Sequence, residues 1–211
     1  MNDKVASLPS KPEKIPIQFQ LGDKTIDGAV VKPLTFQSFS DCISEANNMR
    51  DGKSFDARLR RIRMLKQVTY YVNGATAPVT LNDILNLPIA AAHTIIGKLD
   101  SDEGKAGKII RDGDGIDKAI VFELGTPIPT GAGKDPIREL EFHAKTYGDI
   151  EDILAVDNAI QQTAKMIETI ATPLGSTLSR LPSWALTQIT VADGVTISRE
   201  ILPRFLESPP E

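Results

Sequence analysis

Apolar and polar positions alternate through Ile15-Pro16-Ile17-Gln18-Phe19-Gln20-Leu21, Gly22-Asp23 marks a turn, and Thr25 to Val31 can return as a second strand, so the first element read is a β-hairpin. After the helix-resistant Lys32-Pro33, Thr35 or Ser38 can cap a helix through Phe39, Cys42 and Ile43, and Asn47 to Ser54 reads as a polar loop. Phe55, Leu59, Ile62, Leu65, Thr69 and Val72 then follow at three- and four-residue steps, which predicts a long amphipathic helix ending near Asn73-Gly74. Thr80-Leu81-Asn82-Asp83 has the form of a capping box with Asp in place of Glu and opens a short helical turn. Leu87-Pro88 starts a closing helix, with proline in the first turn, where its missing N–H does no harm.

The same plan returns later in the chain. Ala119 to Leu124 and Ile137 to Phe142 read as hairpin strands, and Ile153, Val156, Ile160, Ala164, Ile167 and Ile170 as the apolar face of a second long helix stopped by Pro173 and Gly175. Leu178, Leu181 and Trp184 follow in a loop or short helix, with the single tryptophan read as core. Thr190-Val191-Ala192-Asp193 repeats the capping form before a last helix. Val31, Thr35, Phe36 and Phe39 lie over Phe142, Thr146, Tyr147 and Ile150 at one constant shift, and Leu87 to Ile95 lie over Ile189 to Ile197 at another. The change between the shifts falls in the middle helices and loops, where length varies at little cost. The expected fold is therefore α+β, mainly helical, in two repeated units, each a β-hairpin followed by packed helices. The expected boundaries are a flexible tail over 1–14, a first unit over 15–99, a linker over 100–117, a second unit over 118–207 and a tail over 208–211.

Composition narrows the chemistry. Hydrophobic residues at 41% and charged residues at 25% are ordinary globular values, but aromatics are only 5%, so the cores must be aliphatic and a base-stacking platform is not expected. One cysteine, Cys42, excludes an internal disulfide framework, and no run of about eighteen apolar residues suggests a membrane span. The net charge of −4 hides an asymmetry: residues 17–99 hold ten Lys/Arg against seven Asp/Glu, while residues 118–206 hold eight against eleven. Opposite signs let the two units attract each other or face different partners.

No candidate site survives as catalytic, cofactor-binding or metal-binding. Arg58, Arg60, Arg61, Arg63 and Lys66 form a basic run that reads as a solvated helix face, and without interleaved aromatics it does not point to nucleic acid. Gly131-Ala132-Gly133-Lys134-Asp135 looks like a phosphate loop, but Ile128 stands where the first glycine is needed and Asp135 where Ser or Thr is needed. The run from Asp112 to Asp117 suggests a calcium loop but has Ile116 at a ligand position. His93 has no second His or Cys nearby at metal spacing and reads as a packing or surface residue. With no nucleophile–base pair, an enzyme is not expected.

The order of features in the second unit resembles the tail assembly chaperones of Mu-like and related tailed phages. It is carried by Pro127-Ile128, Ile137 to Leu140, His143 to Ile150, Leu181-Pro182, Leu186 to Ile189, Asp193 and Phe205-Leu206, while the first unit keeps the family's basic-Pro-x-Thr step as Lys32-Pro33-Leu34-Thr35. The usual member is a single unit of this size, whereas two are read here. The resemblance implies a non-enzymatic protein that binds the tape-measure protein, keeps it soluble in the host cytoplasm and assists tail tube assembly, with neither nucleic acid nor membrane as partner. The alternative is a structural baseplate or tail-tip subunit that stays in the virion tail. The apolar surface between the long and closing helices of each unit is the expected groove.

Overall fold

The computed structural model describes residues 13–101, 104–113, 118–131, 135–175 and 178–206. The N-terminal tail up to residue 12, the C-terminal tail and parts of the calcium-like and phosphate-like loops lie outside the described residues. The fold is α+β and divides into two compact units, Met1–Pro33 with Cys42–Asp102, and Leu34–Asp41 with Glu103–Glu211. One boundary, between Asp102 and Glu103, falls inside the stretch expected as linker, but Leu34–Asp41, from the first hairpin–helix junction, belongs to the second unit.

Unit 1 contains β1 (Lys14–Ile15), β2 (Phe19–Leu21) and β3 (Lys24–Val31), with β1 and β2 each antiparallel to β3. The first expected strand is therefore present as two short pieces on either side of Pro16, which has no N–H to give a ladder. Helix α1 (Phe36–Asn48) follows, its first turn capped by the Thr35 hydroxyl, which accepts from the Ser38 N–H at 3.2 Å. Helix α2 (Phe55–Gln67) ends earlier than expected. The residues that continued its apolar period form β4 (Val68–Val72), which turns through Asn73-Gly74 into β5 (Ala75–Pro78) and pairs with β3 from Ile26↔Val72 to Val31↔Val68. Val-Thr-Tyr-Tyr-Val is β-branched and aromatic, and Asn73 and Gly74 both take positive φ (52° and 80°), as a tight two-residue hairpin demands. The expected capping box is formed by both of its bonds at α3 (Leu81–Leu85), and α4 (Ile89–Ser101) closes the unit.

The core of unit 1 is aliphatic, with Ile26, Val31, Met64, Val68, Ile95 and Leu99 around one buried aromatic, Tyr70. Its ring meets Phe19 edge-on at 5.9 Å between centroids. Burial, with the Asp83 carboxylate as a lesser cause, pushes the Tyr70 phenol up to about 12.

Unit 2 carries a separate antiparallel sheet in the order β6-β7-β8-β9. Strand β6 (Lys108–Arg111) lies inside the stretch expected to be linker and pairs with β7 (Ile120–Ile128), while α4 itself runs on to Ser101. Strand β8 (Ile137–Phe142) completes the expected second hairpin. The expected long helix is broken into α5 (Tyr147–Leu154) and α6 (Ala159–Ile170), because Asn158 caps α6 by accepting from the Ile160 N–H at 2.9 Å. Chain leaving α6 enters β9 (Ala171–Pro173) at once and pairs with β8, Phe142 opposite Ala171. Short α7 (Ser183–Leu186), then α8 (Val191–Glu200) and α9 (Pro203–Leu206), close the unit over a core that includes Phe122, Phe142, Ile153, Met166, Ile167, Ile197 and Phe205.

Ile62 and Ile167 are both nearly inaccessible (2% and 1% exposed), whereas Leu65, expected on the same buried stripe as Ile62, is surface-exposed. Ile62→Ala and Ile167→Ala should each lower stability by about 2–5 kcal/mol in urea unfolding. Leu65→Ala should move it by no more than about 0.5 kcal/mol.

Candidate partner-binding surface

The groove expected between long and closing helices is filled in each unit. In unit 2, Met166, Ile167 and Ile170 of α6 join Ile197 and Ile201 in the core. In unit 1, the Arg63 guanidinium of α2 reaches the last turn of α4, donating to Leu99 O at 2.8 Å and to Asp100 at 3.3 Å. Burying an arginine is costly unless its donors are matched, and Gln67 accepts a further bond at 3.2 Å. Apolar side chains reach the surface elsewhere.

In unit 2 they gather where β9 turns toward α7. Pro173 ends the strand, Leu174 N–H still donates to Glu139 O at 3.0 Å, and Gly175 reverses the chain at φ 72°. Leu174, Leu178 and Trp184, with Ile137 and Pro173, line a groove of about 710 Å³ together with the charged Asp135, Arg138 and Glu139. Trp184, expected in the core, is 45% exposed at the second residue of α7. A four-residue helix has too few turns to bury a bulky ring against the sheet as well as Ala185 and Leu181. In unit 1, besides Leu65, exposed apolar residues gather at Leu81 and Leu85, one turn apart on α3, and at Ile89 at the start of α4.

A smaller recess in unit 2 holds Glu141, His143, Lys145, Asp149 and Arg180. Its two carboxylates already have partners: Arg111 pairs with Glu141 at 3.3 Å, and the Asp149 carboxylate accepts from the Thr146 and Lys145 N–H groups at 2.9 and 3.0 Å. Partial burial pushes Asp149 up, but these donors and the Arg180 guanidinium outweigh it and hold the carboxyl below its usual range.

Among the described residues the most buried acid is Asp193 of α8. Its Oδ1 accepts from Gly107 N–H at 2.8 Å and Gly125 N–H at 2.9 Å, and its Oδ2 from the Thr190 hydroxyl at 2.9 Å. Burial nevertheless pushes its carboxyl above the ordinary value, against those hydrogen bonds. At the next residue, the Phe36 ring lies against Gly194 so closely that a Cβ there would come within 2.0 Å of it. Phe36 N–H donates to Ile189 O at 2.8 Å, and Thr35 bridges to Thr190.

The basic run on α2 is not the solvated face expected. Besides Arg63, Arg61 pairs with Asp51 at 2.8 Å, Lys66 pairs with Glu45 at 2.6 Å, and Arg58 donates to Met49 O, while Arg60 is exposed. His93 is exposed on α4. Among the described residues no group of three or more His, Cys, Asp or Glu side chains could hold a metal ion, and no helix is long and apolar enough to cross a membrane. The features that sequence reasoning missed are the Arg63 anchor, the strand within 100–117 and the exposure of Trp184.

Compared with protein-family models, curated proteins and solved structures, the chain matches none.

Replacing Asp193 by Ala should cost about 1–3 kcal/mol for each amide left without an acceptor, and by Asn less, because an oxygen remains. Since burial raises the folded-state value, the fold binds the Asp193 proton more tightly than the unfolded chain does. The stability difference between wild type and Asp193→Asn should therefore fall as pH rises above about 3.9, which denaturant titrations at stepped pH will read. Gly194→Ala should destabilise by about 1–3 kcal/mol through the clash with Phe36.

Proposed function

We propose that the protein is a phage tail assembly chaperone that binds a helical segment of the tape-measure protein in the host cytoplasm and assists tail tube assembly. The observation that carries this reading is the groove at Leu174, Leu178 and Trp184, whose walls combine exposed apolar side chains with the charged Asp135, Arg138 and Glu139. An amphipathic helix can lay an apolar face into such a groove, with the tryptophan as anchor and the charged lining residues setting its register. The sequence resemblance points the same way.

The reading includes a duplicated unit, and several pairings support it. Val31 faces Val68 in one sheet and Phe142 faces Ala171 in the other, so the second hairpin strand pairs with the strand after two helices in both units. Thr35 and Thr146 both cap the helix after the hairpin, at Ser38 N–H and Asp149 N–H. Val79 and Leu181, Ile95 and Ile197, and Leu99 and Ile201 are buried pairs at the shift that relates Leu87 to Ile189.

Titration calorimetry of the full-length chain against tape-measure fragments tests the function. Binding of at least one helical fragment is expected, weakened about 10-fold or more by Trp184→Ala, with the circular dichroism spectrum unchanged. If no fragment binds, yet the chain is found in fixed ratio in purified tails by mass spectrometry, the baseplate or tail-tip reading replaces this one.

A further inference from the structure

The seat of Phe36 has a counterpart that the chain leaves open. In unit 2 the ring is 2% exposed and Val191, at the start of the helix it rests on, is 1% exposed. If the units are duplicates, on which this inference rests, the ring corresponds to Tyr147, and Ile189, Val191 and Gly194 correspond to Leu87, Ile89 and Ala92. Tyr147 is 75% exposed and Ile89 77% exposed. Each half of a second contact of the same kind is therefore present and uncovered, one at the start of α5 and the other at the start of α4.

We propose that Tyr147 of one copy docks against the Leu87–Ala92 start of α4 in a second copy, so that copies associate head to tail. The area is wider than one ring. Leu154 is seven residues beyond Tyr147, on the same face of α5, and is exposed; Leu85, the last residue of α3 and two before Leu87 in sequence, is exposed as well. Charge favours the pairing, because residues 118–206 carry three more acids than bases and residues 17–99 three more bases than acids, and Glu151 and Asp152 lie exposed next to Tyr147. One difference sets the strength. Ala92 stands where Gly194 lets Phe36 approach, so the tyrosine ring must sit about a methyl group farther from the helix, with its hydroxyl outward. That makes a looser contact than the one Phe36 forms, suited to reversible association.

The two halves are different surfaces, so each added copy leaves one of each free, and the product is a row or a closed ring. A row would present one Trp184 groove per copy to a long helical partner, raising avidity without any new contact to it.

Sedimentation and light scattering of the full-length chain over a concentration series test this. The mass should rise with concentration and fall as salt is added. Tyr147→Ser and Ile89→Ser, both at exposed positions, should each weaken association about 10-fold or more while leaving the circular dichroism spectrum and melting temperature unchanged. An equimolar mixture of the two variants should form a dimer that stops there, since each retains the half that the other lacks. A wild-type chain that stays monomeric, association that both substitutions leave intact, or a mixture that fails to pair overturns the proposal. A monomeric wild-type chain that still binds tape-measure fragments overturns the row and leaves the chaperone reading standing; self-association without fragment binding does the reverse.

Discussion

Three stretches of unit 2 that are remote in sequence meet at the Asp193 carboxylate. Gly107 leads into β6, Gly125 belongs to β7, and Thr190 caps the helix that carries the acid itself. A buried carboxylate without donors would be untenable, and amides of two extended segments without an acceptor would be nearly as costly, so each requirement is met by the other. Satisfying both fixes the start of α8 relative to the sheet. The glycines are needed for it: a Cβ on Gly107 would come within 2.1 Å of Glu123 O, and one on Gly125 within 1.9 Å of Lys105 O. With α8 held there, Ile189 O and the bare backbone of Gly194 are placed for Phe36.

Unit 1 reaches a comparable end by a different polar device. Its closing helix is held at the C-terminal end, where the Arg63 cation meets the carbonyl of Leu99 in the last turn, a position favoured by the helix dipole. The same Arg63 side chain takes an acceptor from Gln67, whose amide in turn donates to Lys32 O at 2.9 Å beside the hairpin. One unit thus uses a buried anion at a helix start and the other a buried cation at a helix end, which accounts for part of their opposite charge.

Local chemistry was legible in the sequence and long-range pairing was not. The capping steps at Thr80 and Thr190, and at Thr35 as one of two candidates with Ser38, are read within four residues, because the side chain bonds an amide three positions on, as Thr146 also does. Val68 to Val72 misleads because its apolar residues keep the helical phase of Ile62, and only the β-branched and aromatic content with Asn73-Gly74 speaks for a strand. Strand β6 hides in a stretch rich in charge and glycine, since what makes it a strand is the edge of β7 rather than its own pattern. Trp184 defeats the usual rule that a lone tryptophan is core, because its helix is only one turn long. The candidate groove could not have been read at all, as its walls come from β8, the β9 turn and α7.

Residues 34–41 belong to unit 2 although they are synthesised among the first strands and helices of unit 1. At about 5–20 residues per second, a ribosome needs roughly 8 to 30 s to pass from Phe36 to Gly194. Through that interval the ring has no seat, and the nascent chain carries an exposed aromatic just where its first helix begins. Completion of the second unit is thus timed by translation of α8 and not by closure of its sheet. The same order means that a gene cut between the units, at residues 102 and 103, gives a C-terminal fragment with a ring-sized hole over Gly194.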